Sequence, residues 1–340
     1  MNGLVTVDVH AHCFVGEIDA LVAGAPGLAH QQELEARRNG PESLAVSGEM
    51  IRERIPKLTS PERRLSDMDG CAVDVQMVSP SPSHYHYWAD PELAGAISYA
   101  ANRAVAAMAA AEPQRLGGFG LVPLQHPDLL VKNLDDALGL GLAGVEIGSY
   151  APGVELSDER LEPFWARAAE TGAVVFLHPF GCSLDERLDR FYLSNTVGQP
   201  VENAVALSQV IFAGVLDRHP ELKILAAHGG GYLPGHLGRS DHAWRVRPEA
   251  RRCAEPPSHY LRRLWFDSLV HSRSVLRGLV EAAGPDRVLL GSDYPFDMGA
   301  ADPLAALGAA DLGPEVYGAI AGGNAVKLGL RPGEVNRWTA

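Results

Sequence analysis

The sequence has few cysteines, and they are far apart. No CxxC pair occurs among them, so a disulfide framework is not indicated. Scattered single cysteines are typical of proteins that fold in a reducing compartment. The four residues are Cys13, Cys71, Cys182 and Cys253.

Positive charge and long apolar runs are also scarce. The 340 residues include 29 lysines and arginines against 42 aspartates and glutamates, which gives a formal net charge of -13. No dense basic block occurs, so a nucleic-acid-binding surface is not expected. No apolar stretch reaches membrane-spanning length, and the N-terminus enters its first apolar run without a basic segment or a cleavage site. These features predict a cytoplasmic protein that binds neither nucleic acid nor membrane.

Strand-like apolar runs alternate with helical stretches along the chain. The runs lie near residues 4–9, 73–78, 117–122, 143–148, 173–177, 222–227, 264–269 and 287–291, and helical periodicity covers 91–111, 156–171, 200–218 and 274–283. This alternation indicates a parallel sheet with crossover helices. Eight such units predict an α/β fold, a (β/α)8 TIM barrel that forms a single domain over residues 1–340. The alternative, a doubly wound open sheet, predicts a glycine-rich phosphate turn after the first strand, where this chain has His10-Ala11-His12.

One interval interrupts the regular spacing. About 50 residues separate the first strand-like run from the segment before Met68, and a structureless loop of that length is unusual inside a compact domain. We therefore predict that residues 14–62 form a small cap over the barrel mouth. Glycines in this interval are expected to form turns, at Gly24, Gly27, Gly40 and Gly48.

Several strand-like runs end in residues that bind metal ions. His10 and His12 are two residues apart, so in an extended strand both side chains point the same way. Later runs end at His178, His228 and Asp293. Because the carboxyl ends of barrel strands form one mouth, these five side chains are expected to converge there. Imidazoles with a carboxylate suit zinc best, with manganese or iron as substitutes; the alternative is five ordinary polar residues at strand ends.

Longer segments around these residues resemble a known family. They are Asp8-Val9-His10-Ala11-His12, His178-Pro179-Phe180, Ala227-His228-Gly229-Gly230-Gly231 and Gly291-Ser292-Asp293-Tyr294-Pro295-Phe296. Together they resemble the amidohydrolase superfamily, and within it the branch of metal-dependent decarboxylases. The likeness extends to segments throughout the chain, at 68–69, 73–76, 122–125, 144–148 and 323–325. The resemblance implies a carbon–carbon lyase, without an organic cofactor, that removes CO2 from an unsaturated or aromatic carboxylic acid.

The resemblance also implies roles for the strand-end residues. His10, His12, His178 and Asp293 would hold a single zinc ion, and His228 would act as the acid/base beside it, with Asp293 contributing to catalysis. Chemistry agrees with that division, because an imidazole that is free of the metal titrates near neutrality and can pass a proton. The competing interpretation makes His228 a fifth ligand.

Two arginines match positions at which the resembled family binds a substrate carboxylate. Counting back from Met68, Arg52 matches the first, which lies in the predicted cap. Arg239 matches a second arginine that the family supplies from the neighbouring subunit, so the resemblance implies a homodimer. The alternative for Arg52 is a solvated residue, with Arg54 close enough to confuse the match.

Aromatic residues are expected to form the wall of the substrate pocket. Trp88 follows the second strand-like run and Phe296 follows Asp293, so both are predicted to contact the substrate. Residues 194–197 depart from the family, which has a tryptophan there, and Glu146 stands where the family has a glutamine. A structural role for Glu146 is favoured over a second metal site.

Two other functions remain open at this stage. A hydrolase or hydratase of the same superfamily would use the same metal site to attack a C–N, C–O or C=C centre, with His228 moving the proton. A non-catalytic barrel is expected to lose metal ligands, and this chain has all four together with His228.

Overall fold

Strand and helix alternate around a parallel barrel in the computed structural model, which describes residues 5–330. All paired strands are parallel, and they form two runs in the order β1-β2-β3 and β4-β5-β6-β7-β8-β9. The strands are β1 Val7–Cys13, β2 Val75–Pro80, β3 Leu116–Gly118, β4 Gly120–Leu121, β5 Gly144–Ile147, β6 Val174–Leu177, β7 Lys223–Ala226, β8 Trp265–Asp267 and β9 Val288–Leu289.

Strands β3 and β4 together act as one strand of the barrel. Only Phe119 separates them, and its N–H donates to the carbonyl oxygen of Val78 in β2 at 2.9 Å. On the other side, the N–H of Ala143 donates to the carbonyl oxygen of Gly118 at 2.9 Å. The nine strands therefore make eight positions around the barrel.

The barrel closes between β1 and the segment that follows β9. The N–H of Val9 donates to the carbonyl oxygen of Leu290 at 2.9 Å, and the N–H of Asp293 donates to the carbonyl oxygen of His10 at 2.8 Å. A parallel bridge joins Ala11 to Tyr294. The predicted (β/α)8 barrel is confirmed.

Thirteen α-helices lie within residues 5–330, and none of them has both the length and the apolar content needed to cross a bilayer. They are α1 Gly16–Val22, α2 Pro26–Thr59, α3 Pro61–Gly70, α4 Pro91–Ala111, α5 Leu130–Gly139, α6 Glu162–Thr171, α7 Gln199–Phe212, α8 Val215–Arg218, α9 Leu233–Val246, α10 Arg273–Ala283, α11 Pro303–Gly308, α12 Pro314–Gly318 and α13 Asn324–Leu328.

The helix ends follow local sequence signals. Asp90 caps α4 by accepting the N–H of Leu93, and a proline occupies the first turn. Gly214, with φ of 70°, divides the predicted helix 200–218 into α7 and α8. The predicted helix 156–171 begins late, at Glu162, because a short 3₁₀ segment precedes it.

Alternate strand residues pack into two different apolar clusters. In β6, Val174 and Phe176 join a small cluster made mostly of strand residues, which fills the barrel. Val175 and Leu177 join the larger cluster that contains the helix residues. This alternation with period two is what places a strand between a barrel interior and a surrounding helix layer.

The interval 14–62 consists of two helices, α1 and α2, and the first residues of α3. Gly24, with φ of 77°, lies in the turn between α1 and α2, as predicted. Gly40, with φ of 75°, kinks α2 instead of forming a separate turn. The turns predicted at Gly27 and Gly48 are wrong, because both glycines lie inside α2. Gly27 instead allows close packing, since a Cβ there would lie 2.2 Å from the ring of Trp88.

Helix α2 contacts the loops at the carboxyl ends of two barrel strands. Arg38 Nη2 donates to the carbonyl oxygen of Cys182, after β6, at 3.0 Å. Trp88, after β2, donates through Nε1 to Gln31 Oε1 at 2.6 Å. These contacts agree with the proposal that residues 14–62 form a cap.

Candidate metal centre

Three buried histidines and one aspartate meet at the carboxyl ends of the barrel strands. His10 and His12 belong to β1, His178 follows β6 and Asp293 follows β9. One ligand atom from each lies within 4.8 Å of the others. The register of β1 on β2 shifts between Asp8 and Ala11, and irregularities of this kind re-aim side chains next to active sites.

The chemistry of this cluster fits a divalent metal ion. Asp293 Oδ1 lies 3.2 Å from His12 Nε2 and 3.5 Å from His10 Nε2. Within the described structure, neither ring nitrogen of His178 has a hydrogen-bond partner, although the side chain is buried. A buried polar group without a partner costs about 1–3 kcal/mol, and a shared cation would remove that cost.

The pKa shifts of His178 and Asp293 agree with metal binding. Burial holds the pKa of His178 well below its usual value, so its ring is neutral, as a metal ligand must be. Burial alone would raise the pKa of Asp293, but its electrostatic interaction with His10 and its hydrogen bonds with His12 and His228 hold the pKa well below its usual value. Asp293 is therefore an ionised carboxylate in the same cluster as the neutral ring of His178.

Asp267, at the end of β8, fixes the orientation of His10. Its Oδ2 accepts from His10 Nδ1 at 2.6 Å and from the N–H of His228 at 2.9 Å. Its Oδ1 accepts from the N–H groups of Gly229 and Leu269 at 2.8 and 3.1 Å. A carboxylate on the far nitrogen of a ligand histidine sets the ring tautomer and raises its basicity. The sequence prediction missed Asp267, because it lies inside the predicted strand-like run 264–269, whereas β8 ends at Asp267 in the structure.

His228 lies beside the four-residue cluster. Its Nε2 is 3.6 Å from Asp293 Oδ2. Burial lowers the pKa of His228, but the hydrogen bond and charge of Asp293 outweigh burial and the net pKa is raised. His228 and Asp293 have φ of 53° and 58°, a backbone conformation rare in residues other than glycine. Such strain is concentrated at functional sites.

Glu146, in β5, lies next to the ligand His12. Its Oε2 lies 3.9 Å from His12 Nδ1, and its Oε1 accepts from the hydroxyl of Tyr85 at 2.5 Å. The same hydroxyl is 3.2 Å from the carbonyl oxygen of His178. Glu146 and Tyr85 therefore brace two ligand residues, which supports the structural role expected for Glu146.

Both arginines predicted to bind the substrate are exposed. Arg52 is exposed on α2. Arg54 is half-buried and lines a cavity of about 400 Å³ together with Phe296 and Asp297. Its Nη1 is buried and has no partner in the described structure. Arg239 is exposed on α9.

The two predicted aromatic contacts lie in different surroundings. The ring of Phe296 is 5.5 Å from that of His12, measured between centroids, so Phe296 borders the metal cluster. Trp88 is half-buried, donates to Gln31 and packs against the ring of His86 at 5.5 Å. Trp88 therefore connects the loop after β2 to α2.

Comparison with known proteins identifies relatives over most of the chain. The family profile described as Amidohydrolase matches residues 7–328. The chain is 35% identical over 259 residues to 2-amino-3-carboxymuconate-6-semialdehyde decarboxylase from Dictyostelium discoideum, which is 75% of this chain and 72% of that protein.

Solved structures share the fold. The 5-carboxyvanillate decarboxylase of Sphingomonas paucimobilis aligns with a TM-score of 0.81 at 25% identity, covering 96% of this chain and 99% of that one. A 5-carboxyvanillate decarboxylase from Novosphingobium aromaticivorans, solved as a mutant with manganese and 3-methoxy-4-hydroxy-5-nitrobenzoic acid, aligns with a TM-score of 0.84 at 22% identity, covering 96% and 97%. These relatives are decarboxylases, so the predicted class, a metal-dependent carboxy-lyase, is confirmed.

Proposed function

Because the chain belongs to the amidohydrolase family, we propose that it is a zinc-dependent decarboxylase that needs no organic cofactor. Its substrate is an unsaturated or aromatic carboxylic acid of the 2-amino-3-carboxymuconate-6-semialdehyde type. The observation that carries the proposal is the buried cluster of His10, His12, His178 and Asp293 with His228 beside it, in a chain whose relatives are decarboxylases.

The metal would be held by the three imidazoles and the carboxylate of Asp293. This donor set suits zinc, and manganese or iron would substitute; one relative was solved with manganese. When bound, the ion supplies a Lewis acid that stabilises negative charge on the substrate.

The protein residues supply the one proton that the reaction needs. Loss of CO2 breaks a carbon–carbon bond and leaves the electron pair on the substrate carbon, which must be protonated to complete the reaction. The ionised Asp293 lies 3.6 Å from His228 Nε2 and favours the protonated ring. His228 is thus the proton donor to carbon, and Asp267 holds its backbone in place.

Substrate recognition is assigned to the residues around the mouth. A planar guanidinium binds a carboxylate through paired N–H donors. Arg52 keeps this proposed role, and the unpartnered Nη1 of Arg54 adds Arg54 as a second candidate. Phe296 provides an aromatic surface next to His12, and Trp88 is proposed to complete the wall of the pocket.

We also propose that the enzyme is a cytoplasmic homodimer. All four cysteines are free thiols, as expected in a reducing compartment. Arg239 is exposed on α9 and would enter the partner's site. An Arg239→Ala chain mixed with a His228→Ala chain should recover activity in the heterodimer; absence of recovery would contradict a shared site.

The direct test is CO2 release from metal-loaded protein offered carboxymuconate semialdehydes and hydroxybenzoates. His228→Ala should keep its metal and lose turnover, while His259→Ala, at an exposed position outside α9, should match the wild type. Metal loss from His228→Ala would make His228 a ligand. If fully metallated wild type released no CO2 from any compound of the panel, decarboxylation would be refuted and hydrolysis or hydration by the same site favoured.

A further inference from the structure

A chain of four buried polar residues lies next to the metal ligands, and we call it the Arg64 network. It consists of Arg64 in α3, Gln76 in β2, Asp8 in β1 and Ser292 after β9, all 3% exposed or less. Arg64 Nη1 donates to Gln76 Oε1 at 2.6 Å, and Gln76 Nε2 donates to Asp8 Oδ2 at 2.8 Å. The hydroxyl of Ser292 donates to the same Asp8 oxygen at 2.5 Å. One amide therefore connects a buried guanidinium to a buried carboxylate.

The network holds the backbone at three of the four metal ligands. Arg64 Nη2 donates to the carbonyl oxygen of His12 at 2.6 Å. Asp8 Oδ1 accepts from the N–H of His10 at 3.1 Å and from the N–H of Ser292, which immediately precedes Asp293, at 3.0 Å. These are contacts to peptide groups, so they leave the ligand side chains free for the metal.

The location of these contacts matches a gap in the sheet. The pairing of β1 with β2 is irregular between Asp8 and Ala11, where His10 lies. Hydrogen bonds of a regular ladder would otherwise fix this backbone. Asp8 supplies a substitute hydrogen bond at the interruption, to the N–H of His10. Arg64 supplies a second one two residues later, to the carbonyl oxygen of His12.

Stability alone gives a poor account of such a network. Burying a guanidinium and a carboxylate costs several kcal/mol of desolvation, and well-packed apolar residues of similar volume are often as stable or more stable. Arg64 also faces the ring of Tyr294 at 4.9 Å and leaves its Nε without a partner in the described structure. Charged groups that are buried at this cost next to metal ligands indicate that they serve to fix the geometry of those ligands.

We propose that Arg64, Gln76, Asp8 and Ser292 are positioning residues that set the metal affinity of the site. They do so by fixing the backbone at His10, His12 and Asp293 before the ion binds. The proposal rests on the metal centre of the proposed function but not on decarboxylation. Removing one member should weaken metal binding roughly 10–100-fold, the usual effect of losing an outer partner of a metal ligand.

The test measures the dissociation constants of zinc and cobalt by chelator competition, together with the visible spectrum of the cobalt form and the melting temperature of the apo protein. Arg64→Met and Ser292→Ala should each weaken binding tenfold or more and alter the cobalt spectrum, and Arg64→Lys should recover part of the loss. The matched control is Asn102→Ala, because Asn102 is equally buried and accepts the N–H of Leu121 at 2.6 Å in β4. The control should lower the melting temperature and leave metal affinity unchanged.

The outcomes separate positioning from stability and from the reaction. Wild-type metal affinity in Arg64→Met and Ser292→Ala, whatever their melting temperatures, would overturn the proposal. If Arg64→Met does not fold, Ser292→Ala decides alone, since it removes a single hydroxyl. A wild type that binds metal but releases no CO2 refutes the proposed function and leaves this test intact.

Discussion

Replacing Asp267 by asparagine is expected to weaken metal binding while preserving side-chain shape. The carboxylate accepts four hydrogen bonds, two on each oxygen, from His10 Nδ1 and from the N–H groups of His228, Gly229 and Leu269. An asparagine amide keeps one acceptor oxygen and replaces the other with an NH2 group. Whichever way the amide is turned, two donors face another donor.

The magnitude follows from those lost contacts. Each buried donor left without an acceptor costs about 1–3 kcal/mol, so the folded protein should lose roughly 2–6 kcal/mol of stability. If the amide NH2 faces His10, the ring loses the bond that fixes its tautomer. Metal affinity should then fall about 10–100-fold, which corresponds to about 1.4–2.7 kcal/mol.

Chelator competition and thermal unfolding, with and without zinc, would measure both effects. Asp241→Asn is the matched control, because the half-buried Asp241, on α9, accepts two hydrogen bonds from the exposed Ser258. The control should bind zinc as the wild type does. If Asp267→Asn also bound zinc and cobalt with wild-type affinity and an unchanged cobalt spectrum, the assignment of Asp267 as the residue that orients His10 would be refuted.

Three further predictions concern single residues. Asp293→Ala should lose both bound metal and activity, since it removes the only carboxylate of the cluster; metal analysis at wild-type stoichiometry would contradict this. Burial, with smaller effects from neighbouring histidine charges, lowers the pKa of His84 to about 3. Because its unfolded pKa is about 6.5, the unfolded state binds more protons and stability falls as pH drops below that value, by about 2 kcal/mol at pH 5. In urea unfolding, His84→Phe should therefore lose about 2 kcal/mol less stability between pH 7 and pH 5 than the wild type loses. An equal loss in the two proteins would contradict the prediction. Gly231→Ala places a Cβ 2.1 Å from the carbonyl oxygen of Pro200 at a φ of 63°, so it should cost about 2 kcal/mol or more in thermal unfolding; a wild-type melting temperature would contradict the packing.

Features that depend on neighbours in sequence were predictable. The barrel followed from strand and helix periodicity, and the predicted helix 91–111 coincides with α4 because Asp90 and Pro91 form a local start signal. The convergence of His10, His12, His178 and Asp293 followed from one rule about strand ends. That rule uses only the position of a residue within its strand.

Features that depend on distant partners were not predictable. Asp267 is recognisable only through His10, 257 residues earlier, and Arg64 only through its bonds to β1 and β2. Gly27 was expected in a turn, but its role is to admit the ring of Trp88, which no local pattern records. The face on which Arg52 lies depends on α2 and its kink at Gly40.

The hydrogen bonds that close the barrel also bear on when the metal site forms. Asp293 donates its N–H to His10, and His12 donates its N–H to Tyr294, so the seam between the first and last strands runs through the ligand residues themselves. A growing chain on the ribosome carries both N-terminal histidines from the start but lacks the carboxylate until residue 293 has been added. The full set of metal ligands is therefore assembled only late in synthesis, and metal binding by all four ligands indicates that the barrel has closed.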